Sequence, residues 1–280
     1  MHNGMFPPVK RIVAIGDIHG DFQILLKVLK KLGIINKENQ WIAGNTYLVQ
    51  LGDVVDGRAR IGDWRGDNEK LIIEFLLQLD QKARAHHGRV ITLLGNHEIM
   101  NIVGNYSYAS ENGIRKMGGI EGRKNFFNSK GSIFHKYALN SYLVVKIGDW
   151  VFCHAGFTEQ KSSLYTIPNI NKMFKQFIQN KFNNSDKQKF INLLLGENGI
   201  LTYRGYGKEK PPCKKFYSAV GNLNAKFMVV GHTTQSYINS ACKNRLWRVD
   251  TAMSRAFGPN NFRRISGLEI INNGQYINQL

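Results

Sequence analysis

The chain has 280 residues, 42% of them apolar and 21% charged, a balance that supports a buried core and excludes a disordered or fibrous polymer. No run of about eighteen apolar residues occurs, which excludes a helical membrane span, and no basic region followed by an apolar stretch opens the chain, so no signal peptide is expected. The formal charge of +18 is uneven: from Leu201 to Arg264 twelve Lys or Arg stand against Glu209 and Asp250 alone, which fits either a generally basic surface or attraction to an anionic partner.

After a short leader with two prolines, Arg11 to Ile15 reads as a buried strand that stops at Gly16. Asp17 and His19 follow, then a helix from Phe22 to Leu32 with a buried apolar face, ended by Gly33. Asp17 and His19 therefore sit on a strand-to-helix loop, where an open α/β sheet places its chemistry. A carboxylate and an imidazole two residues apart can reach one ion, and the donor pair suits Zn, Fe or Mn; an Asp at this place can equally cap the following helix. Tyr47 to Leu51 is the second strand, followed by Gly52, Asp53 and Asp56. Gathering these acids near Asp17 is costly unless a cation neutralises them. A polar loop, 57–68, brings Arg58 and Arg60 close to that centre as candidate phosphate ligands or as plain surface charge, before a helix from about Glu69 to Arg84.

Arg89 to Leu94 is a third strand, ending in Gly95-Asn96-His97-Glu98. Asn96 offers a neutral oxygen donor for Mn or Fe. His97 is its neighbour and must point differently, so it is better placed as a general acid or phosphate contact, with Glu98 holding the loop or capping the next helix. Residues 101–138 are long for a connection and read as a cap or rim element, with Phe126, Phe127, Ile133 and Phe134 as anchors. Ser141 to Ile147 and Trp150 to Cys153 form a hairpin about Gly148-Asp149, with His154 at its end. Two helices follow, Ile167 to Phe182 and Ser185 to Leu195, the second capped by Ser185 and Asp186. In Tyr203-Arg204-Gly205-Tyr206-Gly207, Arg204 is a candidate bidentate phosphate ligand; Lys208 to Lys215 reads as polar and exposed. Lys226 to Val230 is a strand leading to Gly231-His232-Thr233, Arg245 to Val249 another ending at Asp250, and a last hairpin turns at Asn272-Asn273-Gly274. Cys153, Cys213 and Cys242 are odd in number and match no zinc spacing, so a reducing, intracellular and cytoplasmic setting is expected.

Five strand-end motifs in order, Gly16 to Gly20, Gly52 to Arg58, Gly95 to Glu98, His154 to Gly156 and Gly231 to His232, resemble those of the calcineurin-like metallophosphoesterases across most of the chain. The match is strongest to the phosphoprotein phosphatase branch and, through Tyr203 to Gly205 and Asp250 to Ser254, to its bacterial-type and Shewanella-like members. The resemblance implies one α/β domain over 1–280, a β-sandwich of two mixed sheets flanked by helices, with the site on strand-end loops. It implies two metal ions (Mn, Fe or Zn): Asp17 and His19 on the first, Asp53 bridging, and Asn96, His154 and His232 on the second. A metal-bridging hydroxide then attacks phosphorus in line, while His97, held by Asp56, protonates the leaving alkoxide.

One departure bears on substrate. The family pattern has Asp-Arg-Gly where this chain has Asp56-Gly57-Arg58, so the phosphate-clamping arginine is displaced by one position and Arg58, Arg60 and Arg204 share the candidacy. The first reading is a phosphatase of phosphorylated proteins, on phosphoserine and phosphothreonine with phosphotyrosine as a further substrate. A dinucleoside polyphosphate hydrolase or RNA-end phosphatase stays open, as does a non-catalytic basic scaffold that binds phosphorylated or nucleic-acid partners. Oligomeric state is not legible in the sequence.

Overall fold

A computed structural model describes residues 3–59, 64, 66, 68–258 and 265–280. Eleven strands among them form two sheets, ordered β1-β5-β6-β7-β9-β8 and β11-β10-β2-β3-β4. The second sheet is built on β2 (Arg11–Ile15), β3 (Tyr47–Gln50) and β4 (Arg89–Thr92), mutually parallel, with the antiparallel hairpin of β10 (Leu268–Ile271) and β11 (Tyr276–Gln279) beside β2. The first sheet centres on β6 (Trp150–Cys153), β7 (Phe227–Val230) and β9 (Leu246–Arg248), also parallel, flanked by β5 (Val144–Ile147) with β1 (Met5–Phe6) and by β8 (Asn239–Ala241). Both sheets are mixed, as expected.

The central strands of each sheet read as near-continuous apolar runs because both of their faces are buried. Along β6, Trp150 and Phe152 join one core and Val151 and Cys153 the other; in β2, Ile12 and Ala14 alternate in the same way with Val13 and Ile15. The smaller core lies between the sheets, and the larger lies beneath the helices that cover their outer faces. α1 (Phe22–Lys31) buries Ile24, Leu25, Val28 and Leu29, and α2 (Glu69–Arg84) buries Ile72, Ile73, Leu76 and Leu79. No helix among the described residues is long and apolar enough to cross a membrane.

Three expectations change. Asp21, not Asp17, caps α1, its carboxylate accepting the Ile24 N–H, so Asp17 is left for the site. The cap of α9 (Asn184–Leu195) is Asn183, with Asp186 in the first turn as the residue whose N–H it receives. The segment read as polar and exposed from Lys208 to Lys215 turns at Cys213 into α10 (Cys213–Asn222), and Cys213 is disulfide-bonded to Cys242 in the β8–β9 turn. The two lie 29 positions apart in sequence but 5.3 Å apart at Cα, a proximity that only the tertiary fold creates. With that bond in place the cysteines no longer argue for a reducing setting; Cys153 is a buried free thiol in the core, as expected.

Residues 101–138 hold the end of α3 (Asn96–Ile102), α4 (Glu111–Lys116), α5 (Gly119–Asn128) and most of α6 (Ile133–Asn140). Phe126, Phe127, Phe134 and Tyr137 pack ring against ring there.

Candidate metal and phosphoester site

The parallel strands of the two sheets end at the same edge, and each end delivers a polar residue: Asp17 after β2, Asp53 after β3, Asn96 after β4, His154 after β6 and His232 after β7. All five are buried, at 0–8% exposure, so their polar atoms must find partners in each other. Getting them there costs backbone strain. His19 (φ 44°), Asp53 (φ 51°), Asp56 (φ 66°) and His232 (φ 63°) all take left-handed conformations without being glycine, each worth about 1–3 kcal/mol that the surrounding hydrogen bonds must outweigh. Glu98 supplies much of that hold: its carboxylate accepts the N–H groups of Asp53, Val54, Val55 and Gly95, so it both shapes the Asp53 loop and caps α3.

Asp53 is the centre. Its Oδ1 accepts the His97 N–H at 2.9 Å, and its Oδ2 lies 3.3 Å from His154 Nε2 and 3.9 Å from Nε2 of both His19 and His97. Two donor groups share it, His19–Asp53–His97 and Asp53–His154–His232, each with its atoms within 4.8 Å of one another. Asp17 stands against both, Oδ2 3.9 Å from His19 Nε2 and Oδ1 3.9 Å from His154 Nδ1. His19 contacts the Val55 carbonyl through Nδ1, and His154 donates from Nδ1 to the Leu51 carbonyl, so both imidazoles turn Nε2 inward. Asn96 places its Oδ1 3.1 Å from His154 Nε2, while His97 turns the other way.

These residues fit metal ions on their own evidence. His232 Nε2 is buried with no hydrogen-bond partner among the described residues. Any Cβ on Gly95 would strike the Asp53 carboxylate, and one on Gly231 would come within 2.7 Å of Asp17 Oδ1, so the backbone is bare where carboxylates need room. Electrostatics agree. Burial opposes a charge on His154, yet Asp53 and Asp17 lift its pKa to about 10, the mark of a negative surround that favours a cation. Burial and the nearby His154 hold His232 down at about 3, a neutral imidazole suited to ligation. Asp17 is pushed up by burial and by Asp250 beside it.

Next to this cluster is a proton-handling group. His97 Nδ1 sits 2.7 Å from Asp56 Oδ2. Asp56 Oδ1 accepts from Arg123 Nη2 at 2.8 Å and Asn101 Nδ2 at 2.9 Å. Arg123, fully buried in α5, also pairs with Glu69 at 2.7 Å and donates from Nε to Asn101 Oδ1. Sequence reasoning missed Arg123, Asn101 and Glu69. Helical periodicity gives an arginine in α5 no distinction, although Glu69, fully buried at the first position of α2, is an acid that needs a buried partner.

A cavity of about 710 Å³ opens over the cluster, lined by Asp17, His19, Asp53, Asn96, His97 and His232 and walled by Tyr108, Phe257 and Arg204. Tyr108 stands edge-on to His97 with centroids 5.0 Å apart, and Phe257 is 5.3 Å from the His19 ring. Arg204 reaches the wall through a hydrogen bond from Nη1 to the His232 carbonyl at 3.3 Å. Arg58 is exposed, its Nη1 donating to the Ser107 carbonyl at 2.9 Å, and it is not among the residues lining the cavity. Arg60 lies outside the described residues. The displacement of the arginine has a steric reason: Gly57 packs on the backbone of Gly66 so closely that a Cβ at 57 has no space.

Two mixed sheets with donors collected at a common edge about a shared carboxylate define a metallophosphoesterase fold and site. The chain belongs to the calcineurin-like phosphoesterase family, whose model matches residues 10–236. It is 32% identical to Shewanella-like protein phosphatase 1 of Plasmodium berghei, over 87% of this chain and 67% of that protein. It is 26% identical to Shewanella-like protein phosphatase 2 of Arabidopsis thaliana, over 95% of this chain and 78% of that one. The crystal structure of the cold-active protein-tyrosine phosphatase of a psychrophilic Shewanella species superposes with a TM-score of 0.80 at 25% identity, covering 99% of this chain and 82% of that one. The chain is accordingly a phosphoester hydrolase.

Proposed function

We propose that the chain is a metal-dependent protein phosphatase acting on phosphoserine and phosphothreonine. The observation that carries this reading is the convergence of donors on Asp53 with the His97–Asp56 pair alongside it; the names of the relatives supply the phosphoprotein. Asp17, His19 and Asp53 would hold one ion and Asp53, Asn96, His154 and His232 a second, the mixed nitrogen and oxygen donors suiting Mn, Fe or Zn. Two such ions supply Lewis-acid charge for the phosphoryl group and an activated water. The chain's own residues do the rest. Asp56 fixes the His97 ring, and His97 delivers a proton to the leaving oxygen. Arg204 holds phosphate oxygens from the cavity wall, with Arg58 as a rim contact. We read 1–280 as one domain, with 101–138 as the rim that carries Arg123 and Tyr108.

The aromatic wall favours a second reading, phosphotyrosine. Tyr108 beside His97 gives a flat apolar surface where the leaving group would lie, and the structurally similar Shewanella protein is a protein-tyrosine phosphatase. A panel of phosphoserine, phosphothreonine and phosphotyrosine peptides, a dinucleoside polyphosphate and 5′-triphosphate RNA, assayed with Mn, tests both. Turnover of peptides above the nucleotides is expected; a strong preference for either nucleotide overturns the proposal. Binding of phosphopeptide with no Mn-dependent hydrolysis returns the scaffold reading.

A further inference from the structure

The chain's positive charge is not absorbed by the metal site, whose cavity is walled by a single described arginine. We propose a second anion site at the opposite end of β4, which takes a phosphate-bearing small molecule up to the size of a mononucleotide. There a cavity of about 550 Å³ is lined by Arg84, Arg89, Lys172, Lys175, Tyr142 and Asn169, among others. Arg84 ends α2, Arg89 opens β4, and Lys172 and Lys175 stand one turn apart on α8 (Ile167–Ile178). β4 runs from Arg89 toward Asn96, so this cavity is a separate site rather than an extension of the first.

Charge is unbalanced in it. Asp80 is shared by Arg84, at 2.6 Å, and Arg89, at 3.3 Å, so one carboxylate answers two guanidiniums. Lys175 has no carboxylate partner among the described residues. Its ammonium donates to the carbonyls of Ala138 and Ser141 and lies over the Tyr142 and Phe174 rings at 5.4 and 5.2 Å. Burial without a counter-ion pushes its pKa down to about 7. An anion in the cavity gives that ammonium the partner the fold withholds. Arginine forks match phosphate oxygens in pairs, whereas a lone carboxylate ligand would use fewer of the donors. The volume falls in the small-ligand range of about 300–1,000 Å³, wider than a free phosphate requires and suited to its ester. The proposal is independent of the reaction assigned to the metal site.

Calorimetric titration of the Mn-loaded full chain with AMP and, separately, with inorganic phosphate tests it. The variants are Lys172→Glu combined with Arg84→Glu, and Arg204→Ala as a control on the metal-site cavity. Lys172 is exposed and the Arg84 side chain is 51% exposed, so the pair should leave the fold intact; Lys172→Gln gives a milder check. We expect the charge-reversed pair to weaken AMP about tenfold or more, with hydrolysis of an aryl phosphate unchanged and with binding retained in Arg204→Ala. Phosphate as tight as AMP at this site identifies the free anion as the ligand and supports the site; AMP binding alone identifies the ester and supports it. AMP binding whose stoichiometry and affinity the charge reversal leaves unchanged, or that disappears in Arg204→Ala, overturns the proposal, as does the absence of any binding to the unaltered chain.

Discussion

The Leu51 to Arg58 stretch contains two regions built on different principles. Up to Asp56 every residue is buried, the backbone is held by Glu98 and Glu69, and each polar side chain is met from another strand end. Gly57 is still buried, but Arg58 beyond it is exposed and rests on a loop carbonyl. The first region works by fixed geometry: hydrogen bonds from Glu98 and Glu69 hold its backbone, and left-handed conformations at Asp53 and Asp56 are tolerated to keep the donors in place. The second works by reach, with long cations that can adapt to whatever carries the phosphate. Under the proposed function, reaction type belongs to the first region and phosphate contact from the rim to the second.

The sharpest way to break this division is at its centre. Asp53→Asn keeps the shape of the side chain but removes the charge that both donor groups share. Activity should fall to the buffer background, and metal content by elemental analysis should drop from two ions per chain; a variant that keeps both ions would remove Asp53 as the bridge. His97→Ala should leave metal content unchanged and lower kcat by about 10²–10⁴-fold. This distinction matters because His97 shares one of the donor groups: loss of an ion in His97→Ala would make it a ligand and return Asp17 to a supporting place.

Arg123→Met should cost less turnover, about 10–100-fold, because it acts through Asp56. It also strips a counter-charge from two buried acids, at about 3–5 kcal/mol of stability. The two effects separate by leaving group. A role in positioning His97 predicts a large loss on phosphoserine peptide, whose alkoxide needs the proton, and a small loss on an activated aryl phosphate, which does not. Equal losses on both would mark Arg123 as structural alone.

Why the first region was legible in sequence and the second less so follows from the same contrast. Asp17, Asp53, Asn96, His154 and His232 are each tied to the end of an apolar strand, so strand prediction carries the site prediction with it. The strands are legible because both faces are buried and the apolar runs are unbroken. Arg123 was hidden because its partners, Asp56, Glu69 and Asn101, come from three other segments, and no local period marks an arginine that faces inward. The Cys213–Cys242 bond was hidden for the same reason. The shifted arginine is legible in Asp56-Gly57-Arg58, but the packing of Gly66 that leaves no room for a side chain at Gly57 is a tertiary fact.

Metal affinity should depend on pH through His154. Its proton, held by Asp53 and Asp17 up to a pKa of about 10, must leave before Nε2 can ligate. Raising pH below that value lowers the protonated fraction, so Mn affinity rises with pH, by up to about tenfold per unit for one released proton. Calorimetric Mn titrations in buffers of different ionisation enthalpy read the proton directly. Affinity that is flat between pH 6 and about 9 would mean that the cluster does not store a proton on His154.

The smallest effects lie at the exposed arginines, Arg204 and Arg58, and they bear on how substrate is held. Arg204 lines the cavity, but it is exposed, and solvent screening limits what one charged contact contributes. Arg204→Ala should raise KM for a phosphopeptide about tenfold with a smaller change in kcat, the pattern of a group that binds ground state and transition state alike. Arg58 is committed to the Ser107 carbonyl and should matter about twofold or less, an effect that shrinks further as salt is raised. A larger loss in Arg58→Ala than in Arg204→Ala would mean that the Ser107 contact gives way when substrate arrives. The displaced arginine would then resume the clamp despite its shifted position, and the boundary between the rigid and the adaptable region would move one residue past Gly57.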